Sequence, residues 1–147
     1  MAFDKRTGET MWISAPGGRP YDTTYAPLII VNVDGTRLLI EGASDGMVHA
    51  IKPQTGEPVW KYEISKRGIN SGVVVYGRNA IVTHSEENID STEMGMIAAV
   101  DASGHGEIKR IKSSGAITAG WAASRHQSSM ATGFIRSTIA RTWVRST

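Results

Sequence analysis

Short apolar runs separated by polar, glycine-containing turns set the character of this chain. Residues 27–33 and 37–40 form one pair of such runs, joined by Asp34-Gly35-Thr36. Residues 72–76 and 80–83 form a second pair, joined by Gly77-Arg78-Asn79. Asp-Gly and Gly-x-Asn between β-branched runs are hairpin signals. Within each run the apolar residues are consecutive, as in strands covered on both faces, whereas a half-exposed sheet would alternate. No stretch before residue 113 carries helical periodicity. The expectation is an all-β protein.

A longer pattern lies above the strands. Ala2-Phe3-Asp4-Lys5-Arg6-Thr7-Gly8-Glu9-Thr10-Met11-Trp12 returns as Ala50-Ile51-Lys52-Pro53-Gln54-Thr55-Gly56-Glu57-Pro58-Val59-Trp60, so that Gly8 and Trp12 each recur 48 residues later. A weaker third copy, Ala99-Val100-Asp101-Ala102-Ser103-Gly104, places its glycine another 48 residues on and has Ile108 where the Trp would stand. Each copy reads as a strand end, a turn whose glycine can take positive φ, and a new strand bearing a large side chain. Four short strands per repeat of this length describe a propeller blade stacked between neighbours.

The pattern Asp-x-x-Thr-Gly-Glu-x-x-Trp, carried by Asp4, Thr7, Gly8 and Trp12, resembles the pyrroloquinoline-quinone-type propeller repeat. Thr55, Gly56 and Trp60 repeat it, and Asp45-Gly46 precedes the strand run of the same unit. The chain is similar to the large propeller proteins of planctomycete-type bacteria, themselves similar to the outer-membrane assembly lipoprotein that scaffolds barrel insertion. The resemblance covers residues 1–112. It implies a ring of about eight blades, with Trp12 and Trp60 packing between neighbours. On that basis the chain is expected to be a partial β-propeller of about two four-stranded antiparallel blades plus remnants. Its natural partners would then be the remaining blades of an exported or periplasmic parent.

Composition changes this picture in one place. Residues 113–147 hold Arg125, Arg136, Arg141 and Arg145 and no acidic residue, leaving 12 of the 16 basic residues against 14 acidic ones before them. The basic pI of 9.0 therefore belongs to the tail, and four spaced arginines without a recognition motif do not make a nucleic-acid surface. The tail also breaks the repeat. A displaced reading of the codons for residues 130–147 can encode a blade hairpin closing on Ala-Phe-Asp, the tripeptide at Ala2-Phe3-Asp4, so a frameshift is the expectation for 113–147, with a divergent disordered tail as the alternative. The first residues do not form a signal peptide, no apolar run is long enough to span a membrane, and cysteine is absent.

Candidate chemistry is sparse. The stretch 85–93, with Glu86 and Glu87, is oxygen-rich but lacks the spacing and mid-loop glycine of a calcium loop, and reads as a solvated connection. The segment holding Arg19, Tyr21, Asp22 and Tyr25 precedes a strand and has the side chains of an interface loop. His49 and His84 lie in strand runs with no carboxylate spacing that ties them into a metal or catalytic set, and read as hydrogen-bonded structural residues. Ser14, Ser71 and Ser85 have no nucleophile-elbow context. The resemblance brings a quinone cofactor to mind, but the adjacent-cysteine disulfide that sandwiches it in quinoprotein dehydrogenases has no counterpart here. Repeat resemblance argues fold and not chemistry. The expectation is a non-catalytic binding or scaffold segment without cofactor. The alternatives are a piece of a quinone-dependent dehydrogenase whose catalytic residues lie elsewhere, or a gene fragment with no function of its own.

Overall fold

A computed structural model describes residues 1–109. The expectations for the 113–147 tail lie outside the described residues, as do the last three residues of the 1–112 repeat region.

Ten strands and no helix make up the described residues. β1 (Ala2–Phe3) and β2 (Thr10–Trp12) form a leading hairpin. The first blade follows as an antiparallel meander of β3 (Ile29–Val33), β4 (Thr36–Gly42), β5 (Met47–Ile51) and β6 (Pro58–Glu63). The second blade is a three-stranded antiparallel meander of β7 (Val74–Tyr76), β8 (Asn79–Glu87) and β9 (Met94–Asp101). The Asp34-Gly35 turn closes β3 on β4 with both central residues at positive φ (47° and 81°), the conformation that suits a two-residue hairpin.

The repeat holds at the level of hydrogen-bond register. Ala2 faces Trp12 as Ala50 faces Trp60, and each pair is followed by a register shift at the next residue, Phe3 or Ile51. Gly8 and Gly56 donate to the carbonyls of Asp4 and Lys52, both at 2.8 Å, with φ of 76° and 75°. The third copy departs from this. Gly104 donates to the Asp101 carbonyl three residues back, where Gly8 and Gly56 reach four back, and the left-handed residue there is Gly106.

The strand after that turn departs further. β10 (Gly106–Glu107) stands where an outer antiparallel partner of β9 is expected, yet it pairs in parallel with β6 of the first blade, Gly106 opposite Trp60. The second blade therefore has three strands among the described residues, not four, and the first gains a fifth. An edge strand such as β6 presents unpaired N–H and C=O groups. β10 satisfies some of them, helped by the Lys61–Glu107 ion pair at 3.1 Å and by Ile108, which packs against the core.

The two blades share one core. Leu38, Ile40, Val48, Ala50 and Trp60 of the first pack against Ala80, Val82, Met96, Ala98 and Val100 of the second. Tryptophan acts twice in the stacking. The Trp12 indole N–H donates to the Pro53 carbonyl at 3.1 Å and its ring lies where a Gly56 side chain would be, so the hairpin is fastened to the first blade. The Trp60 indole N–H donates to the Ala102 carbonyl at 2.9 Å, fastening the first blade to the second. Each ring buries a large apolar surface while its N–H finds a backbone partner.

Candidate interaction surface

Successive turns fall at alternate ends of the blades. One end carries the tight turns, including 4–8, 34–35, 52–57 and 77–78, and most of the repeat motif with them. There Asp4 accepts the Arg6 and Thr7 amides at 2.7 and 3.1 Å, and Thr55 accepts the Glu57 amide. Asp101 accepts the Ser103 amide and hydroxyl, and these bonds, with the Arg78 charge beside them, hold its carboxyl below the ordinary range against a small opposing effect of burial. Arg78 also bridges the blades, reaching Asp34 at 3.0 Å and Asp101 at 3.4 Å. These are turn-stabilising and blade-coupling contacts.

The opposite end carries the connections 13–28, 43–46, 64–73 and 88–93, of which 13–28 and 64–73 are the longest among the described residues. The first of these is fastened along much of its length. The Gly18 amide donates to Asp45 at 2.8 Å, and the Tyr21 and Asp22 amides donate to the Ser44 carbonyl at 2.9 and 3.3 Å. The Thr24 hydroxyl reaches the Ile69 carbonyl at 2.6 Å, and the Tyr25 amide donates to the Asn70 side chain at 3.0 Å. Gly68 allows this approach, since a side chain there would strike the Thr23 carbonyl.

Asp45 is the buried centre of the mooring. Its carboxylate takes the Gly18 amide, the Met47 amide at 3.1 Å and the His49 imidazole at 3.0 Å. Burial by itself pushes the carboxyl up. The hydrogen bonds from His49 and Gly18, the electrostatic attraction of His49 and the Met47 amide outweigh it and hold the carboxyl below the ordinary range. His49 thus has a carboxylate partner four residues earlier, which the sequence reading did not provide. The turn at Gly46 (φ 77°) folds β4 onto β5 and brings the two side chains to one place, a juxtaposition that spacing along an extended strand does not reveal.

With its backbone fastened, the loop presents side chains outward. Tyr21 is 58% and Tyr25 78% exposed, and Arg19 and Asp22 are exposed beside them. Glu86 and Glu87 lie at this same end, but in a strand and not in the loop expected from sequence. They belong to β8, because β9 is long enough to pair as far as Glu87 opposite Met94. Glu87 meets Arg67 at 3.2 Å and its carbonyl accepts the Lys66 amide, which ties the second blade to the connection that also holds the Tyr loop. Arg67 and Asn70 had no motif to mark them in the sequence.

Among the described residues no three His, Asp or Glu side chains gather as a metal-binding set. Among the described residues the two repeat tryptophans are packed into the blades. Trp60 is 2% exposed within the core, and the Trp12 ring is packed on Gly56.

Comparison with known proteins agrees with the repeat register. A family model described as outer membrane protein assembly factor BamB, of the pyrroloquinoline-quinone repeat type, matches residues 1–147. No curated protein and no solved structure matches significantly. By the extent of that match, by its all-β blades and by the twofold tryptophan register, the chain belongs to the BamB-type family of pyrroloquinoline-quinone-repeat propellers.

Proposed function

We propose that the chain is a non-catalytic binding module of a propeller scaffold, and that the end bearing the 13–28 connection is its contact surface for a protein partner. The observation that carries this reading is the moored loop with Tyr21 and Tyr25 exposed on it. The loop's amides at Gly18, Tyr21, Asp22 and Tyr25 are used internally, so recognition falls to side chains. Tyrosine on a fixed backbone contributes large contact area at little entropic cost, and Tyr and Arg are enriched among interface hot spots. The family description as an assembly factor supports a protein as the partner, as does the repeat architecture, which builds extended binding surfaces.

A photo-crosslinking residue at position 25 tests the surface. The expected result is a crosslink to one discrete protein, lost when Tyr21 is changed to Ala and retained when the exposed Arg6 at the opposite end is changed. A crosslink insensitive to Tyr21 sinks the assignment of the surface. Dye reduction that depends on added quinone and calcium would overturn the non-catalytic reading.

A further inference from the structure

β10 is a short and irregular strand on a regular edge. β6 pairs with β5 on its inner side from Pro58 to Glu63, and its outer side presents the N–H and C=O groups that edge strands offer to other chains. β10 covers that side at Gly106, opposite Trp60, and at Glu107, opposite Lys61. The Ile108 amide adds a bond to the Lys61 carbonyl at 2.9 Å. The cover is held loosely. Gly106 has a φ of 68°, outside the extended region of a regular strand. The Lys61–Glu107 pair has side chains 41% and 68% exposed, and an ion pair this open to water contributes little. Of residues 106–108 only Ile108 packs against the core.

The pairing nevertheless shows what the edge accepts. Opposite residues of neighbouring strands share a face, and successive residues alternate between faces. Trp60 and Tyr62 belong to the apolar side and Lys61 to the other. An occupant in the position of β10 therefore presents an apolar residue beside Trp60, an acidic one beside Lys61 and an apolar one beside Tyr62. β10 supplies the last two as Glu107 and Ile108. At the first it has only Gly106, where an added side chain meets nothing within 4 Å. Its removal leaves the blades joined, because the Trp60 indole is bonded to Ala102, which lies before the segment that would leave.

We propose that β10 is a displaceable cap, and that the β6 edge docks an extended peptide segment with an acidic residue between two apolar ones. Such a segment keeps the backbone bonds and the Lys61 pair, is extended at all three positions, and adds an apolar side chain where Gly106 has none. Main-chain bonds then supply affinity and the alternate side chains supply specificity, as in other strand additions to a sheet edge. The tyrosine loop takes no part.

Fluorescence anisotropy on the full 147-residue chain tests this with two labelled eight-residue peptides, one with Val-Glu-Ile at its centre and one with Val-Lys-Ile. The Glu peptide should bind about tenfold more tightly, since the Lys peptide sets like charges together. Glu107→Lys turns the ion pair of the cap into a repulsion and should tighten binding of the Glu peptide at least about threefold, by raising the uncapped fraction. Lys61→Glu combined with Glu107→Lys keeps a pair in the cap and should reverse the preference between peptides. The chain has no cysteine of its own, so Lys61→Cys with Glu107→Cys places a single pair on adjacent strands, at a spacing a disulfide can bridge. Its oxidised form should exclude the peptide and its reduced form admit it. Circular dichroism checks that each variant keeps the fold. Tyr25→Ala should leave peptide binding unchanged, so failure here and failure of the tyrosine surface are separate results. No binding to the Glu107→Lys chain overturns the docking site. Binding that oxidation does not block overturns the role of β10 as its cap, and equal affinity of the wild-type chain for both peptides overturns the recognition by Lys61.

Discussion

β5 and β9 are the third strands of successive blades, with a left-handed glycine just before the first (Gly46) and at the second position of the other (Gly95), yet they live in different environments. In β5 four of the five residues are buried, on both faces. In β9 burial alternates, with Met96, Ala98 and Val100 inside, Ile97 partly covered and Ala99 exposed. β5 lies between the leading hairpin and the second blade, while β9 has a described neighbour on one side only. An apolar side chain in a repeat protein is thus stabilising only in proportion to what stacks on it. The Asp45–His49 pair follows the same rule. The 13–28 connection covers it in the first blade through Gly17 and Gly18, and the second blade has Met94 and Ala98 at the matching places.

The comparison can be broken most forcefully at tryptophan. Trp60→Ala is expected to cost about 3–5 kcal/mol, as for other fully buried aromatics, and Trp12→Ala clearly less because Trp12 is only partly buried. Urea unfolding followed by circular dichroism measures both. Equal losses would mean that burial does not differ between the two steps of the stack.

The matched turn glycines sharpen the same contrast. Gly8 and Gly56 share their φ, but a side chain at Gly8 meets nothing whereas one at Gly56 meets the Trp12 ring. Alanine at Gly8 should cost about 1–2 kcal/mol for the left-handed backbone alone. At Gly56 a further ~1–3 kcal/mol is expected for overpacking. The difference in unfolding midpoint between the two variants isolates the Trp12 contact.

Asp45→Asn should cost about 1.5–3 kcal/mol at neutral pH, the range for hydrogen bonds to a charged group. Because the folded-state carboxyl is held below its unfolded value, this contribution is present above the ordinary aspartate range near about 3.9. It is lost as pH falls from there through the lowered folded value. The stability gap between wild type and variant should therefore be flat from neutrality to mild acid and close only below that point. A gap that closes well above that point would overturn the assignment to the Asp45 carboxyl. Smallest of all, Val74→Thr on the open face should change stability by less than about 0.5 kcal/mol, a value that would grow if another surface covers it.

Much of this protein is written locally. Turn chemistry at Asp34-Gly35, Gly8 and Gly56 acts within a few residues, so β class, hairpin positions and blade period are all legible along the chain. The two tryptophans recur in step with those turns, and a large buried side chain needs the same pocket in every blade, which is why the family is also visible there. Other features depend on residues far apart in sequence. The carboxylate that meets His49, the mooring of the tyrosine loop on Ser44, Ile69 and Asn70, and the arrival of Glu87 beside Arg67 all require connections from different strands to meet at one end of the stack. The diversion of β10 to β6 was set by competition between open strand edges, and no local pattern encodes which edge is free. Which faces are buried is likewise a property of the stack, since the hydrophobic effect acts on surface removed from water and a sequence states only the surface available.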